Sequence, residues 1–405
     1  MSMQALIKEE RERSKAGQLL LLFSIILLAL NMRSPITSVG PLTVMIRDSL
    51  GISSTAAGAL TTIPLLAFAI LSPFASKLAR KFGMEVVLFS ALLILTAGLA
   101  LRPVGGAASL FAGTILIGAA IAVCNVLMPA FVKMNFAHQI GVMTGFYAMS
   151  MNLTGALASG FSIPIAQASD IGWRAAVGFW LIPAAIAIVV WFSQMSYIRH
   201  PLKTEKSTYK KTSVWSSPLA WKVTAFMGIQ SLLFYSLVAW LPEILQEQGM
   251  STGASGWMLS IIMFSQLPVT FIVPVIADKM KNQRPLVMIA AVFMIAGLSG
   301  ILFGLIDLVL LWVIIIGIAG GCAFSLSMMF FSLRTRNSFE AADLSGMAQS
   351  AGYLFAAAGP ALFGALHDML NGWAVPLLLL IGAGVGMFIF GMGAGKEGYV
   401  TKKPN

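Results

Sequence analysis

Residues 17–46, GQLLLLFSIILLALNMRSPITSVGPLTVMI, decide how the rest of the chain is read. A bilayer-spanning helix needs about 20 predominantly apolar residues, and this run supplies them with a single ionisable side chain, Arg33, in its midst. The apolar core of a secretory signal is only roughly 7–15 residues long. A retained membrane helix is therefore expected here.

Working outward, the same pattern recurs along all 405 residues, of which 58% are hydrophobic and 10% charged, with a mean hydropathy of +0.88. Soluble domains carry about 25% charged residues, so a water-soluble fold is excluded. Apolar runs broken by Gly, Pro and charge clusters fall at 17–46, 52–76, 84–102, 107–133, 139–166, 173–195, 218–246, 253–277, 285–304, 307–333, 342–370 and 372–395. The sequence predicts an all-α membrane protein with twelve transmembrane helices, which puts both termini on one side.

The formal net charge of +11 raises the question of a nucleic-acid partner, and the placement of the charge answers it. Lys and Arg gather in 8–15, 77–81, 199–222, 279–284 and 396–403, with Lys133, Arg334 and Arg336, all on the side of the termini. Only Arg47, Arg102 and Arg174 are expected on the opposite side, and Arg33 within the first span. Such asymmetry follows the positive-inside rule. It predicts cytoplasmic N- and C-termini in the plasma (inner) membrane and no nucleic-acid partner.

Several function classes drop out. Cys124 and Cys322 both lie within expected helices, against a disulfide framework or zinc site. His138, His200 and His367 fall near helix ends or between runs, and no HExxH, Walker A or GxSxG pattern occurs. An enzyme is not expected, nor a cofactor, nor ATP-driven pumping by this chain.

The longest polar interruption, 196–217, divides the sequence into a tail (1–16), a first bundle (17–195), a linker, a second bundle (218–395) and a second tail (396–405). Tail, linker and tail are expected to be cytoplasmic. The halves are related by a repeat. Gly51 and Gly249, Gly58 and Gly256, Leu88 and Leu286, and Cys124 and Cys322 pair at an offset of 198; Thr144-Gly145 pairs with Ser345-Gly346 at 201. Two pseudo-symmetric six-helix bundles follow.

Arg33 stands about 22 Å of helical rise beyond Gln18, where an unpaired charge is costly unless it faces a watery cavity or a partner. Its repeat counterpart is Ser231, and all fifteen acidic residues map to helix ends, loops or tails. A resident carboxylate for Arg33 is therefore not expected, which disfavours a proton-relay drug pump and favours an anionic or strongly polar ligand. Thr37 lies one turn on. Asn125, Tyr147, Asn152, Tyr235, Trp240, Gln266, Gln349 and Tyr353 occupy comparable depths in other helices and make up a candidate lining of polar groups among aromatics. Asp278, following the eighth run, is suited to cap or pair with a neighbouring helix end in one state.

The run Asn31-Met-Arg-Ser-Pro-Ile-Thr-Ser-Val-Gly-Pro-Leu42 resembles the first-helix signature of the cyanate porter branch of the major facilitator superfamily, although Met32 and Ser34 depart from it. Asn125-Val-Leu-Met-Pro129, Thr144-Gly-Phe-Tyr147, Gly172-Trp-Arg-Ala175, Trp240-Leu-Pro-Glu-Ile-Leu245, Gln283-Arg-Pro-Leu286 and Ser345–Tyr353 are similar to that branch as well. The resemblance implies the major facilitator fold, with substrate bound near the midplane between halves. It implies carriage of small anions or small planar polar compounds, such as cyanate or nitroimidazoles, with Arg33 as a ligand. Of the superfamily's loop signature, Asp278 keeps the acidic position in the second half while Arg80 occupies it in the first, so both are gating candidates. The expected protein is thus a monomeric secondary or facilitative carrier working by alternating access, with a small-molecule substrate, a proton or counter-anion as driving partner, and the lipid bilayer around it. The competing reading is an exporter of drugs or other hydrophobic organic compounds, suggested by 24 Met and 26 Phe.

Overall fold

The computed structural model describes residues 3–195 and 214–401, so most of the expected linker, 196–213, lies outside the described residues. The first half holds α1 (Met3–Thr37), α2 (Thr43–Leu50), α3 (Ser54–Phe82), α4 (Met84–Leu101), α5 (Ala107–Asn135), α6 (Ile140–Gln167), α7 (Trp173–Gly178) and α8 (Leu181–Met195). The second holds α9 (Pro218–Glu247), α10 (Thr252–Lys279), α11 (Arg284–Leu302), α12 (Val309–Leu333), α13 (Ser338–Leu370) and α14 (Ala374–Ala394). Twelve spans result among the described residues, because α1 with α2 and α7 with α8 each cross as a broken pair.

Both breaks have local causes. Beyond Thr37 the helical ladder tightens, with Val39 N bonding Ile36 O at 3.3 Å and Leu42 N bonding Val39 O at 3.0 Å. Pro41 has no N–H to continue it. In the sixth span Pro183 cannot donate to Phe179 O, and Ile182 N takes that carbonyl at 3.1 Å instead. At its other end α1 extends back to Met3.

Ten spans among the described residues are apolar enough to cross a bilayer on composition alone. α6 and α13 are as long, but α6 carries Gly, Ser, Thr and Asn, and α13 Gly, Ser and Gln, along their length. These two make the largest contacts between halves, α6 with α10 and α13 with α3. Covered by protein on several sides, they need less apolar surface than helices facing lipid.

The repeat is visible as packing. α1–α6 is matched by α9–α13, α3–α5 by α10–α12, α4–α5 by α11–α12, and α1–α8 by α9–α14. Single contacts recur too: a Cβ on Gly118 would lie 3.0 Å from Pro64 and 3.1 Å from Ala67, and one on Gly317 would lie 2.6 Å from Ile262 and 2.7 Å from Ser265. Those partners are the equivalents at the 198 offset.

At the end of the bundle that carries both chain termini, the near end, the halves meet through backbone. A Cβ on Gly145 would lie 2.9 Å from Phe271 O of α10, and one on its counterpart Gly346 would lie 2.8 Å from Ser72 O of α3. Further along α6, Gly160 has nothing within 4 Å. Gly346→Ala should therefore lower stability by about 1–3 kcal/mol through overpacking, read as a lower unfolding midpoint in detergent, while Gly160→Ala leaves the midpoint unchanged or slightly raised. Equal midpoints for the two variants would contradict this packing.

Candidate functional site

Arg33 lies one turn before the break in α1 and reaches across to α6. Its Nη1 donates to Asn152 Oδ1, a residue whose own Nδ2 is fixed on Ala148 O at 3.0 Å. The arginine stem can lie flat on α6 because residue 155 is glycine. A Cβ there would come within 3.1 Å of both Cγ and Cδ of Arg33. Thr37 Oγ1 closes the same junction by donating to Gly155 O at 2.9 Å.

The second half faces this guanidinium with aromatic rings. Its Cζ sits 4.9 Å from the Phe234 centroid and 5.8 Å from that of Phe324, distances at which the ring faces attract a cation. Arg33, Thr37, Asn152, Phe234, Met263 and Gln266 line one small cavity between the halves. The structure thus brings together four of the residues singled out from sequence, from α1, α6 and α10. Gln266 is 5% exposed and makes no hydrogen bond among the described residues.

The pseudo-equivalent place in the other half is aromatic. At the repeat offsets Ser231, Tyr235 and Tyr353 correspond to Arg33, Thr37 and Asn152, and Phe68 corresponds to Gln266. Tyr353 packs on Phe68 at 5.0 Å and on Tyr235 at 6.4 Å, and Tyr235 adjoins Phe234 at 5.3 Å. One wing of the site is polar and cationic; its counterpart is a cluster of rings.

Other candidates lie elsewhere. Gln349 Nε2 donates to Asn125 O at 3.0 Å, a strut between α13 and α5 that uses the Asn125 backbone. Tyr147 is buried, and its hydroxyl has no partner among the described residues. Trp240 stands apart from Arg33: its Nε1 donates to Pro360 O at 2.7 Å and its ring packs on Trp373 at 5.3 Å. Trp373 in turn donates to Glu247 Oε1 at 3.0 Å, the oxygen that also meets His367 Nε2 at 2.8 Å.

Arg102 closes the apolar run 84–102 and caps the end of α4. It is fully buried, with Nη1 donating to Pro35 O and Nε to Thr114 Oγ1 at 3.2 Å. Pro35 O is available because Val39 N has turned to Ile36 O at the break in α1. Nη2 has no partner among the described residues. The only hint in the sequence is that Arg102 directly follows an uninterrupted apolar run.

At the near end the halves are tied by charges set on helix ends. Gly141 N, in the first turn of α6, donates to Asp278 Oδ2 at 3.0 Å. Arg80, at the end of α3, pairs with Asp343 of α13. Lys133, at the end of α5, donates to Ser332 O at 2.7 Å, to Thr335 Oγ1 at 2.9 Å and to Thr335 O. Sequence reading passed over Lys133 as one more cation of the positive side. Each contact puts a carboxylate at a helix N-terminus or a cation at a C-terminus, the favourable polarity for the helix dipole.

Residues 21–360 match the family model described as Major Facilitator Superfamily. The chain is 45% identical over 381 residues to an uncharacterized transporter of Bacillus subtilis (strain 168), covering 94% of each. It is 36% identical to the 2-nitroimidazole transporter of Escherichia coli (strain K12), covering 95% of this chain and 97% of that one. To the cyanate transport protein of the same organism it is 27% identical, covering 89% and 94%. Among solved structures, the proton:xylose symporter XylE bound to 6-bromo-6-deoxy-D-glucose superposes with a TM-score of 0.73 at 16% identity, covering 92% and 94%. That last likeness speaks for the fold.

The Arg33–Asn152 contact makes a quantitative test of the geometry. A charge-assisted hydrogen bond contributes roughly 1.5–3 kcal/mol, so Arg33→Met and Asn152→Leu should be non-additive by about that much in a double-mutant cycle of unfolding stability. Strict additivity would mean that the two side chains do not interact.

Proposed function

Because the chain belongs to the Major Facilitator Superfamily, a family of transporters, we propose that it is a secondary or facilitative carrier of a small polar or anionic solute, working by alternating access. The observation that carries the reading is the cavity at Arg33. A guanidinium has five N–H donors in a fixed fork, and Asn152 takes only one of its two terminal nitrogens. The rest can meet an oxyanion or a polarised nitro or cyanate group with charge-assisted bonds.

The pairing of wings favours small planar solutes. Arg33, Thr37, Asn152 and Gln266 serve the polar end, while Phe234, Tyr235 and Tyr353 offer ring faces. Tyr147, Gln349 and Asn125 stiffen the walls. Trp240 acts from the rim opposite the termini, with Trp373. The names of the relatives, a 2-nitroimidazole transporter and a cyanate transport protein, agree with this chemistry.

Arg80 and Asp278, joined by Lys133, serve as the near-end gate. The clustering of Lys and Arg on that side supports cytoplasmic termini in the plasma (inner) membrane, and the protein works as a monomer. A linker at 196–217 would let the two bundles, 17–195 and 218–395, rock about the site.

In proteoliposomes, purified protein should take up labelled cyanate or 2-nitroimidazole, and Arg33→Ala should cut the rate at least tenfold. Arg33→Lys keeps the charge but loses the fork and should fall between the two. Wild-type rates in Arg33→Ala would remove the assigned role. For the gate, Lys133→Ala combined with Asp278→Ala should raise labelling of a cysteine replacing the buried Ser72, whose carbonyl faces Gly346, measured with a membrane-impermeant maleimide on inverted vesicles; unchanged labelling would rule the gate out.

A further inference from the structure

We infer that Gln266 sets the solute class of the cavity at Arg33: its amide oxygen accepts a hydrogen bond from a ring N–H, so the site selects neutral heteroaromatic solutes that carry an oxygen acceptor and an N–H on one edge. The inference rests on the carrier reading above and adds the group that discriminates among its solutes.

Of the side chains that the second half contributes to this cavity, Gln266 is the polar one, beside Phe234 and Met263. It is 5% exposed and makes no hydrogen bond among the described residues. Buried amides without a partner are uncommon, because leaving one unpaired forfeits its hydration. Its orientation depends on a glycine of α12. A Cβ on Gly320 would lie 3.6 Å from Nε2 and 3.8 Å from Cδ of Gln266, with Oε1 beyond 4 Å. The amide thus rests its nitrogen edge on α12 and keeps its oxygen as an unused acceptor.

The other polar groups of the cavity are engaged. Thr37 Oγ1 donates to Gly155 O at 2.9 Å, Asn152 Nδ2 donates to Ala148 O at 3.0 Å, and Asn152 Oδ1 accepts from Arg33. What stays open is a set of donors on Arg33 and an acceptor on Gln266. A solute that satisfies both needs an acceptor for the guanidinium and a donor for Oε1, which a ring N–H next to a nitro or carbonyl group supplies. At the repeat offset Gln266 is matched by Phe68, which packs on Tyr353. The acceptor therefore belongs to the polar wing alone and orients the ring of the solute toward the aromatic one.

Arg33 does not require an anion to complete this arrangement. It is held by the Asn152 amide and by the faces of Phe234 and Phe324. Arg102, fully buried, shows the same bundle housing a guanidinium with only a carbonyl and a hydroxyl as partners. A polarised oxygen on a neutral ring is thus a sufficient partner for Arg33. A small anion without an N–H would leave Gln266 Oε1 unpaired and turn negative charge toward it.

The test compares two solutes that differ in one donor, labelled 2-nitroimidazole and labelled 1-methyl-2-nitroimidazole. Initial uptake by full-length protein in proteoliposomes is measured above the protein-free background. A site built around a solute N–H strongly rejects an analogue that lacks it, so the wild-type protein should favour 2-nitroimidazole by roughly tenfold or more. Gln266→Met keeps the length of the side chain without the acceptor and should bring that ratio close to one. A wild-type ratio near one overturns the inference, whatever the variant does. So does a preference that persists in Gln266→Met, since the methyl group would then be excluded by size. Loss of uptake of both solutes in a variant that unfolds at the wild-type midpoint overturns it too, because Gln266 would then serve every solute alike. Wild-type uptake of cyanate with neither nitroimidazole taken up would also overturn it, while leaving the carrier reading in place. The carrier reading itself fails on a different result, the absence of Arg33-dependent uptake of all three compounds.

Discussion

A guanidinium at the depth of Arg33 has to be satisfied, and much of the architecture follows from how that is done. In lipid an isolated cation is costly, so Arg33 needs a protein-lined cavity and a partner within reach. The partner is Asn152, and the reach depends on Gly155, where any side chain would press on the arginine stem. The break in α1 just beyond Thr37 frees the carbonyl of Pro35, and that carbonyl is what holds Arg102. Kink, glycine and both arginines thus form one connected arrangement.

The duplication supplies the frame within which that arrangement is asymmetric. Gly118 and Gly317, or Gly145 and Gly346, do the same steric work in both halves because close backbone approach depends on the absence of a Cβ and on little else. Ligand chemistry has no such constraint. Where the first half has Arg33, Thr37 and Asn152, the second has Ser231, Tyr235 and Tyr353, so a pocket built by a near-symmetric scaffold is polar on one wing and aromatic on the other. A symmetric pocket would hold either two guanidinium groups, which repel each other, or none.

The twelve spans were legible in the sequence because lipid imposes length and apolarity on each helix separately. The repeat was legible for a similar reason, since glycine positions carry packing information in their identity. Arg33 and Asn152 could be found as polar residues at the wrong depth. What could not be read was direction: Trp240 and Tyr235 are both aromatic and both on α9, yet Trp240 turns to Pro360 and Trp373 while Tyr235 turns to Tyr353. The burial of Arg102 was hidden because a charge at the end of an apolar run reads as exposed until a broken neighbouring helix offers it a carbonyl. The broken first and sixth spans were hidden for the same reason, as Pro41 and Pro183 could equally have kinked a continuous helix.

The near-end closure is close in space and weak in energy. Its tightest contacts, at Gly145 and Gly346, are backbone against backbone, which fixes the geometry while burying little side-chain area. Its polar contacts are of a kind worth little in isolation, since an exposed pair such as Arg80–Asp343 contributes about 0–1 kcal/mol and a charge at a helix end about 0.3–1 kcal/mol. Three such contacts hold a state without trapping it. Because each contact is worth so little, the near end is held by several weak terms acting together, and the loss of any one of them leaves the others in place.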